Sequence, residues 1–424
     1  MRLFWFILYS LILYPLFFIL IILLIPFNRK IRDGFIGRLK TRKKLADFKN
    51  NTSFSEIYWF HVSSHGEFQQ IQSIIEEIKR DKNRGVIVSF FSPSGFNNVH
   101  NENIDCKIYL PFDDLLSVYR SLKIVQPSKL IFASYDVWPN IVFICQLLNI
   151  KTMLISLRIH SNSFKLSLMG RSLYKSTYQS INQIFTVSTK DLSNLRKIIN
   201  DKKFVAMGNP RFDVANNKSQ GVDIKLSYDE RIQKKLFLFA SLWPEDHSIL
   251  FPKIFDLLKD DESSKIVLVP HELSDSITNY YVDQIEKNNL SYKIIDAYMD
   301  LRNIEQNIII VNTVGILYKL YWQAYIAYVG GGFSKNGIHN IMEPAVAGNP
   351  VIFGPNHSNS NFLEARQLLN KSAAFEVSSS EELMHRFNRL LDRNFYLSAS
   401  DASKSVIDNN LGSTKKLISE ILDE

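Results

Sequence analysis

An α/β fold with two doubly wound parallel sheets is predicted by the order of apolar segments along the 424-residue chain. Short runs of β-branched and aromatic residues alternate with segments of helical length, which is the pattern of βαβ units. The alternation stops in a polar stretch at residues 214–230 and then restarts. We therefore expect two Rossmann-like domains facing a cleft, with ligands bound at the carboxyl ends of the strands.

Strands are predicted where such apolar runs lie between turn residues. In the first half these are residues 57–61, 85–91, 107–110, 129–133, 152–156 and 183–187. In the second half they are residues 236–241, 265–270, 307–311, 325–329 and 350–353. Residues 214–230, rich in Asn, Lys, Ser and Gln, have the composition of a linker. The predicted order is an anchor at 1–28, a first domain at 29–213, the linker, and a second domain at 231–424 whose last helix can pack back on the first.

Composition excludes several classes of function. With 46% hydrophobic and 22% charged residues, the chain is globular rather than disordered. Cys106 and Cys145 form no CxxC pair and lie near no histidine cluster, so neither disulfides nor a metal site are expected. The net charge of +8 comes largely from one segment near the amino terminus and is not interleaved with aromatic residues along the domains, so nucleic-acid binding is not expected.

The amino terminus has the properties of a membrane anchor. Residues 3–27 are almost entirely apolar, long enough to cross a hydrocarbon core of roughly 30 Å, with a kink expected at Pro15. Basic residues follow directly, which predicts a single-pass helix with the rest of the chain in the cytoplasm: Arg29, Lys30, Arg32, Arg38, Lys40, Arg42, Lys43 and Lys44. A cleaved signal peptide is disfavoured because the apolar run is too long and no small-x-small site follows. The basic cluster is also suited to anionic lipid head groups.

A glycine-rich turn is the strongest local signal of a ligand site. Gly330, Gly331 and Gly332 follow a predicted strand and precede Phe333 and a helical pattern. Such glycines let backbone N–H groups approach a ligand. A helix starting near His339 would direct its positive end at a phosphate, and Glu343, one turn later, could accept ribose hydroxyls. The alternative is a tight strand-to-helix connection without a ligand.

Polar residues also end the strands of the first half. Glu67 lies where a helix begins after the first strand, so it can act as a general base or simply complement the helix dipole. His61 and His65 are either part of a site or structural. Arg158 offers a guanidinium for a carboxylate or phosphate, or a surface ion pair. Asp136 lies in the turn that precedes Trp138-Pro139-Asn140.

In order along the chain, these turns resemble the 3-deoxy-D-manno-octulosonic acid (Kdo) transferases of lipopolysaccharide biosynthesis. The resemblance covers nearly the whole chain. It rests on the anchor and on the following motifs: His61-Val62-Ser63-Ser64-His65-Gly66-Glu67, Trp138-Pro139-Asn140, Arg158, Gly208-Asn209-Pro210-Arg211-Phe212-Asp213, the glycine turn with His339-Asn340 and Glu343-Pro344, and Gly354-Pro355 with Asn361-Phe362.

The resemblance implies a GT-B glycosyltransferase at the cytoplasmic face of the inner membrane. Its donor would be CMP-Kdo, its acceptor the lipid A precursor lipid IVA, and its mechanism inverting and independent of metal or cofactor. Glu67 would be the catalytic base. Acceptor contacts are expected from His61, Ser64, His65, Gly66, Arg158 and Asp136. Donor contacts are expected from Gly330, Gly331, Gly332, Phe333, Lys335, His339, Asn340, Glu343, Arg211, Pro270 and His271.

Two turns depart from the family pattern, and two other functions share part of it. Many members carry Glu-Thr-Glu where residues 134–137 read Ser-Tyr-Asp-Val, and Arg residues near positions 270–273. A sugar-nucleotide epimerase on the same scaffold would share the glycine turn but would not need an anchor. A non-catalytic, membrane-tethered nucleotide-binding scaffold would tolerate replacement of Glu67.

Overall fold

The computed structural model describes residues 2–201, 203–259, 263–356 and 363–423. The chain divides into two compact units, Met1–Val214 with Leu411–Glu424, and Ala215–Asn410. Each unit contains one sheet of seven strands, and all neighbouring strands in both sheets run parallel. The predicted α/β fold with two doubly wound sheets is confirmed.

The sheet of the first unit has the order β3-β2-β1-β4-β5-β6-β7. Its strands are β1 Glu56–Val62, β2 Arg84–Phe90, β3 Cys106–Tyr109, β4 Lys129–Ala133, β5 Lys151–Leu157, β6 Gln183–Thr186 and β7 Phe204–Ala206. The helices are α1 Arg2–Leu8, α2 Tyr14–Leu24, α3 Arg29–Leu39, α4 Thr41–Asn51, α5 His65–Ile78, α6 Pro93–Asn98, α7 Leu115–Val125, α8 Pro139–Leu147, α9 Leu168–Tyr178, α10 Thr189–Ile198 and α11 Pro210–Gln220. A 3-10 turn covers Phe164–Leu166.

The sheet of the second unit has the order β10-β11-β9-β8-β12-β13-β14. Its strands are β8 Leu236–Leu242, β9 Lys265–Pro270, β10 Tyr292–Ile295, β11 Ile308–Val311, β12 Ile326–Val329, β13 Val351–Phe353 and β14 Ala374–Glu376. Its helices are α12 Tyr228–Gln233, α13 Pro244–Leu250, α14 Asp275–Glu286, α15 Leu317–Leu320, α16 Met342–Val346, α17 Leu363–Asn370, α18 Ser380–Leu390 and α19 Arg393–Asp408, with 3-10 turns at Ile254–Leu258 and Leu301–Asn303. The last helix of the chain, α20 Ser413–Leu422, belongs to the first unit.

Both faces of each sheet are covered, which explains the continuous apolar runs of the central strands. In β1, Trp59 packs into the core on one face and Phe60 into the core on the other. The central strands therefore follow the predicted runs to within a residue or two. The strands that the sequence analysis missed are β7, β10 and β14, each of three or four residues. All three lie at sheet edges and expose polar or apolar side chains, so they lack a buried run.

The stretch predicted as a linker, residues 214–230, is mostly helical. It contains the second half of α11 and the start of α12, and the boundary between the units falls inside α11. Helix α12 begins with a capping box in which Ser227 and Glu230 satisfy each other's backbone N–H groups. The polar composition of this stretch therefore comes from exposed helices as well as from a loop, because the solvent-facing positions of a helix carry the same residue types as a loop.

The apolar amino terminus is one helical segment, Arg2–Leu24, long and apolar enough to cross a membrane. A π-helical turn at Tyr9–Leu13 immediately precedes Pro15, the predicted kink. A proline lacks an N–H and crowds the carbonyl four residues earlier, and the wider π turn makes room for its ring. Side chains of the segment hydrogen-bond to the first unit: Trp5 Nε1 donates to Ser172 Oγ at 2.7 Å, and Tyr9 to Asp113 at 2.8 Å.

The carboxyl-terminal helix completes the core of the first unit. Leu417 and Ile421 are fully buried in the cluster that also contains the apolar face of α5. Its first turn is held by Asp213, whose carboxylate accepts hydrogen bonds from the backbone N–H groups of Gly412 at 2.7 Å and Thr414 at 2.8 Å. The last residues of the chain are thus a structural part of the first unit.

We expect Leu417→Ala to lower the free energy of unfolding by about 2–4 kcal/mol, because it leaves a cavity in a closed core. Lys416→Ala, at the exposed neighbouring position, is the matched control and should change it by less than about 0.5 kcal/mol. Chemical unfolding of the purified full chain gives both values. Equal, small effects of the two substitutions would show that α20 is dispensable for the first unit.

Candidate active site

Strand order places one turn region at the centre of each unit. In the first sheet β1 lies between β2 and β4, and in the second β8 lies between β9 and β12. Successive connections leave the sheet in opposite directions at such a switch point, which opens a crevice at the carboxyl ends of the strands. Ser134 after β4 and Ser241 near the end of β8 have φ values of 67° and 54°. This left-handed backbone is uncommon for serine, and Ser156 in β5 shares it, so it accompanies strand ends in the first unit as well as the irregular end of β8.

Glu67 lies at the switch point of the first unit. Helix α5 starts after β1 with Ser64 as its N-cap, and the Ser64 hydroxyl accepts a hydrogen bond from the Glu67 N–H at 3.4 Å. The Glu67 side chain folds back, and its Oε2 accepts a hydrogen bond from the Ser63 N–H at 2.6 Å. Only 6% of the residue is exposed. The carboxylate is therefore fixed beside the turn rather than extended into solvent.

The surroundings of Glu67 favour its protonated form. Burial raises the pKa of its carboxyl above the usual glutamate range, and the nearby Asp136 charge adds to this. The Ser63 N–H, His61 and Arg211 act in the opposite direction without cancelling the shift. A glutamate that only complements a helix dipole is normally exposed and strongly acidic. Glu67 instead has the raised basicity required of a general base.

A partly buried polar cluster supports this carboxylate. Asp136 Oδ2 accepts a hydrogen bond from the Ser63 hydroxyl at 2.5 Å and lies 3.1 Å from His61 Nε2. His61 is fully buried, and its Nδ1 is 3.1 Å from both oxygens of Ser89. Burial would raise the pKa of Asp136, but its hydrogen bonds to His61 and Ser63 outweigh burial and lower it. Asp136 therefore stays ionised, and His61 is held between Asp136 and Ser89.

The structure separates the remaining residues predicted for the first domain. Ser64 caps α5, whereas His65 and Gly66 are exposed in its first turn. A Cβ added at Gly66 would meet no atom within 4 Å, so packing does not require glycine there. Arg158 follows β5 and is half-buried. Arg211, predicted as a donor contact, lies in the first unit, where its Nε donates to the Gln70 side-chain oxygen at 3.1 Å once that amide is oriented by its hydrogen bonds.

Steric contacts require glycine in the glycine turn of the second unit. A Cβ at Gly330 would lie 2.4 Å from the Ser241 carbonyl oxygen, and one at Gly332 would lie 2.4 Å from the Gly354 nitrogen. Gly331 has a φ of +89°, which side chains rarely adopt. The three glycines therefore let the turn pass directly against the ends of β8 and β13.

The sequence analysis did not single out Asp246, which organises this turn. Its Oδ2 accepts hydrogen bonds from the N–H groups of Gly331 and Trp243, each at 2.9 Å, and its Oδ1 accepts one from the Tyr328 hydroxyl at 2.8 Å. Burial raises the pKa of the carboxyl while these bonds partly offset the shift. Asp246 is fully buried at the third position of α13. An Asp three residues after Trp243 in a first helical turn was the available signal.

Three aromatic rings lie beside the glycine turn. Trp243 stacks on His271 with ring centroids 4.3 Å apart, and its Nε1 donates to His339 Nε2 at 2.6 Å. His271 and His339 are also 4.3 Å apart. Burial, with a contribution from His271, lowers the pKa of His339 to about 4. Burial likewise lowers the pKa of His271. His339 is therefore neutral near pH 7, and since its Nε2 accepts a hydrogen bond, its proton is on Nδ1.

The predicted helix near His339 was placed too early. Helix α16 begins at Met342 and has only five residues, so residues 333–341 form an irregular loop. Asn340 uses its side-chain oxygen to accept the Met342 N–H at 3.1 Å. Glu343 lies in the first turn and forms an ion pair with Lys218 at 3.1 Å. Lys218 was predicted to lie in a linker, so sequence reasoning missed this pair.

The other predicted donor contacts surround the same loop. Pro270 is the last residue of β9, and His271 follows it. Phe333 is half-buried, and Lys335 is exposed. Asn361 and Phe362, part of the family resemblance, lie outside the described residues. Among the residues that the structure describes, no cluster of three His, Cys, Asp or Glu side chains could hold a metal ion.

Comparison with known proteins identifies relatives of this chain. Residues 35–214 match the family model of 3-deoxy-D-manno-octulosonic-acid transferase (kdotransferase). The chain is 28% identical to a 3-deoxy-D-manno-octulosonic acid transferase of Rickettsia felis, over 80% of this chain and 72% of the relative. It is 26% identical to that of Aquifex aeolicus, over 82% and 90%. A bifunctional glycosyltransferase/methyltransferase of Fusobacterium nucleatum is 27% identical over 85% of this chain, which spans only 56% of that relative.

Solved structures show the same two-unit fold at low sequence identity. UDP-GlcNAc 2-epimerase from Neisseria meningitidis covers 87% of this chain and is itself covered completely, with a TM-score of 0.59 and 12% identity. MurG from Acinetobacter baumannii matches 86% of this chain and 99% of its own, with a TM-score of 0.57 and 13% identity. These likenesses establish the GT-B fold. The match of residues 35–214 and the curated relatives show that the chain is similar to Kdo transferases.

Proposed function

We propose that this protein transfers Kdo from CMP-Kdo to the lipid A precursor lipid IVA, with inversion, without a metal, and with Glu67 as general base. The observation that carries the proposal is the buried Glu67 carboxylate, held at a switch point with a raised pKa in a chain similar to Kdo transferases. Relatives with matching names act on 3-deoxy-D-manno-octulosonic acid, which supports the choice of donor sugar.

In the proposed reaction, the Glu67 carboxylate takes the proton from an acceptor hydroxyl. The hydroxyl oxygen attacks the anomeric carbon of Kdo in line as the bond from that carbon to the CMP phosphate oxygen breaks, and CMP leaves with that electron pair. The Ser63 N–H fixes one oxygen of the carboxylate, leaving the other for the acceptor. A base with a raised pKa gains more from accepting the proton than an ordinary glutamate does.

Asp136 has a separate part in the proposal. Its lowered pKa keeps it charged while Glu67 takes up and releases a proton. It holds the Ser63 hydroxyl and lies against His61, so it fixes the turn that carries the Ser63 N–H. Two carboxyl groups with pKa values moved in opposite directions can perform different tasks in one site.

Backbone groups of the glycine turn are proposed to bind the CMP phosphate. The Gly331 N–H already donates a hydrogen bond to Asp246. This N–H, which the sequence analysis counted among the contacts to the donor substrate, is therefore used within the turn. The N–H groups of Gly332 and Phe333 make no hydrogen bond within the described residues and are assigned to the phosphate. The neutral His339 supplies its Nδ1–H as a further donor, and such fixed dipoles stabilise developing charge without a metal.

Glu343 is assigned to the ribose hydroxyls, as the family resemblance implies. Its ion pair with Lys218 holds the carboxylate at the start of α16. Lys218 is partly exposed, so a pair of this kind contributes little to stability and can be exchanged for hydroxyl contacts. His271 and Trp243 are assigned to the base of the nucleotide because their rings form a flat, stacked surface, and Pro270 is assigned there as the residue before His271.

The proposed location is the cytoplasmic face of the inner membrane. It is supported by one apolar helix near the amino terminus and by basic side chains on α3 and α4. Arg38 is an exception among them, because its guanidinium donates to the carbonyl oxygens of Phe91 at 2.9 Å and Gly34 at 3.0 Å. The exposed members are the ones assigned to lipid head groups.

The direct test is to incubate detergent-solubilised full chain with CMP-Kdo and tetraacylated lipid A precursor in the presence of a chelator, and to weigh the lipid. A gain of one or more Kdo units is expected. Glu67→Gln should reduce turnover by roughly 10²–10⁴-fold while CMP binding is retained. Glu76→Gln, an exposed position on the same helix, is the control and should remain active. Full turnover by Glu67→Gln would contradict the assignment of the base.

The pH dependence follows from the raised pKa of Glu67. The base must be ionised, so kcat/KM should rise with pH through an acid limb above the usual glutamate pKa of about 4.3. Removing the neighbouring charge in Asp136→Asn lowers the pKa of Glu67 and should move this limb to lower pH. Asp47→Asn, which removes an exposed charge on α4, should leave the limb in place. A limb that does not move in Asp136→Asn would rule out coupling between the two carboxyl groups.

Two glycine substitutions separate ligand access from packing. A Cβ at position 66 has open space around it, so Gly66→Ala should leave the free energy of unfolding unchanged or raise it by up to about 1 kcal/mol. The same substitution should lower kcat/KM, because the added methyl group narrows the approach of the acceptor to Glu67. Gly332→Ala would force its Cβ against Gly354 and should destabilise the second unit by roughly 1–3 kcal/mol. Unfolding curves and initial rates measure both. Undiminished activity of Gly66→Ala would show that the acceptor does not approach there.

A further inference from the structure

The amino-terminal helix lies against the first unit along much of its length. Besides Trp5 and Tyr9, the Ser10 hydroxyl donates to Asn140 at 2.5 Å, and the Tyr14 hydroxyl accepts the Asp113 N–H at 2.8 Å. Asp113 is central to this contact between the helix and the rest of the first unit, since its carboxylate also accepts the N–H of Ile141 at 3.0 Å. A helix that only crosses a bilayer does not need polar side chains that form hydrogen bonds with the rest of the first unit.

Beside the seated helix an apolar groove of about 400 Å³ remains. Phe17, Leu20 and Ile21 of α2 form one wall, Phe35 of α3 another, and Leu110 and Phe112 the floor. The volume falls within the range of roughly 300–1,000 Å³ that is usual for small-ligand sites. Every part of the groove belongs to the first unit.

The polar rim of the groove indicates an anionic lipid. Lys30 and Asn28 line it next to the apolar wall, whereas Arg38 lies deeper, over the ring of Phe91 at 4.7 Å, with its guanidinium bound to backbone carbonyl oxygens. Neighbouring residues on the outward face of α2, including Leu16 and Leu23, are about 60% exposed. Such an apolar surface is stable only against lipid or a partner. A hydrocarbon chain can therefore enter the groove from the lipid side while its charged head group stays beside Lys30.

The groove is continuous with the proposed catalytic turn. Ser92 and Ser94 line it, and the Ser92 N–H donates to the Ser63 carbonyl oxygen at 3.1 Å. Ser63 in turn donates to Glu67. Trp138, two residues after Asp136, lines the groove as well. A lipid held in the groove thus lies next to the turn that carries the base.

We propose that this groove binds one acyl chain of the glycolipid acceptor. The proposal rests on the proposed function, because it takes the acceptor to be that acylated, phosphorylated glycolipid. Holding the chain fixes the register of the head group and brings an acceptor hydroxyl to Glu67, so binding energy from a non-reacting part of the substrate is used for orientation. The amino-terminal helix is then part of the acceptor site as well as an attachment to the membrane.

Leu20→Trp tests the groove because Leu20 lines it from an exposed position on the helix, where a larger side chain does not disturb a core. Leu23→Trp is the matched control on the outward face and does not line the groove. Burial of each methylene of the acyl chain changes affinity by roughly fourfold. Displacing two or more methylenes from the groove should therefore raise KM for the acylated acceptor about tenfold or more. KM for a fully deacylated acceptor should not change, nor should either value in Leu23→Trp.

A second measurement does not require transfer. The full chain, without CMP-Kdo, is irradiated with an acceptor carrying a diazirine on one acyl chain, and the labelled peptides are identified by mass spectrometry. Label is expected on the segments that contain Phe35 and Phe112, and Leu20→Trp should reduce it at least fivefold relative to Leu23→Trp. A phosphatidylglycerol with the same diazirine should label these segments much less.

The proposal is overturned if label spreads along the outward face of the helix, if both tryptophan variants behave alike, or if phosphatidylglycerol labels the groove as strongly as the acceptor. The first two outcomes indicate only general contact with lipid, and the third indicates a bulk-lipid site. Absence of Kdo transfer by the wild-type chain would overturn the proposed function and leave the labelling result intact. Groove labelling therefore separates the two failures.

Discussion

Buried carboxylates that accept hydrogen bonds from backbone N–H groups hold the strand-end turns of both units. Glu67 accepts the Ser63 N–H after β1, and Asp246 accepts those of Trp243 after β8 and Gly331 after β12. Asp191 does the same for Ile159 after β5, at 2.9 Å, and Asp113 for the start of α8. A turn at the end of a buried parallel strand leaves N–H groups without a ladder partner, and leaving them unpaired would cost about 1–3 kcal/mol each.

This arrangement has a chemical consequence at the first switch point. A carboxylate placed there to satisfy a backbone group is also desolvated, so its basicity rises. Glu67 has only one N–H partner and a neighbouring negative charge, and its pKa is raised. Asp136 receives the Ser63 hydroxyl and faces His61, and its pKa is lowered. The number and charge of hydrogen-bond partners therefore separate the pKa values of the two carboxyl groups, although desolvation raises the pKa of both.

At the second switch point a buried carboxylate that accepts backbone N–H groups serves packing. Asp246 holds the glycine turn in place, where Gly330 is crowded by the end of β8, Gly331 by Gly337 and Gly332 by Gly354. The turn then presents the two following N–H groups and the neutral His339 in fixed positions. Preorganised dipoles of this kind are suited to a phosphate leaving group because they need no rearrangement as charge develops. The seated amino-terminal helix adds an apolar groove on the first unit.

The sequence by itself determined the central strands, the fold class and the positions of Glu67 and the glycine turn. Strands buried on both faces must be continuously apolar, and strand-end turns require glycine or polar residues, so both leave local patterns. It did not reveal β7, β10 and β14, because these edge strands have only three or four residues and include exposed positions, so they lack a continuous apolar run. Polar composition likewise could not distinguish the exposed helix α11 from a linker.

Only the tertiary structure decided which polar residues meet. Asp246 with Gly331 is separated by 85 residues, His61 with Asp136 by 75, and Lys218 with Glu343 by 125. These pairings depend on strand order, which no local segment encodes. The helix predicted near His339 begins instead at Met342, because the preceding loop turns back on the glycines, where the His339 N–H donates to the Gly330 carbonyl oxygen. Periodicity specifies which face of an element is buried, whereas packing alone specifies what that face contacts.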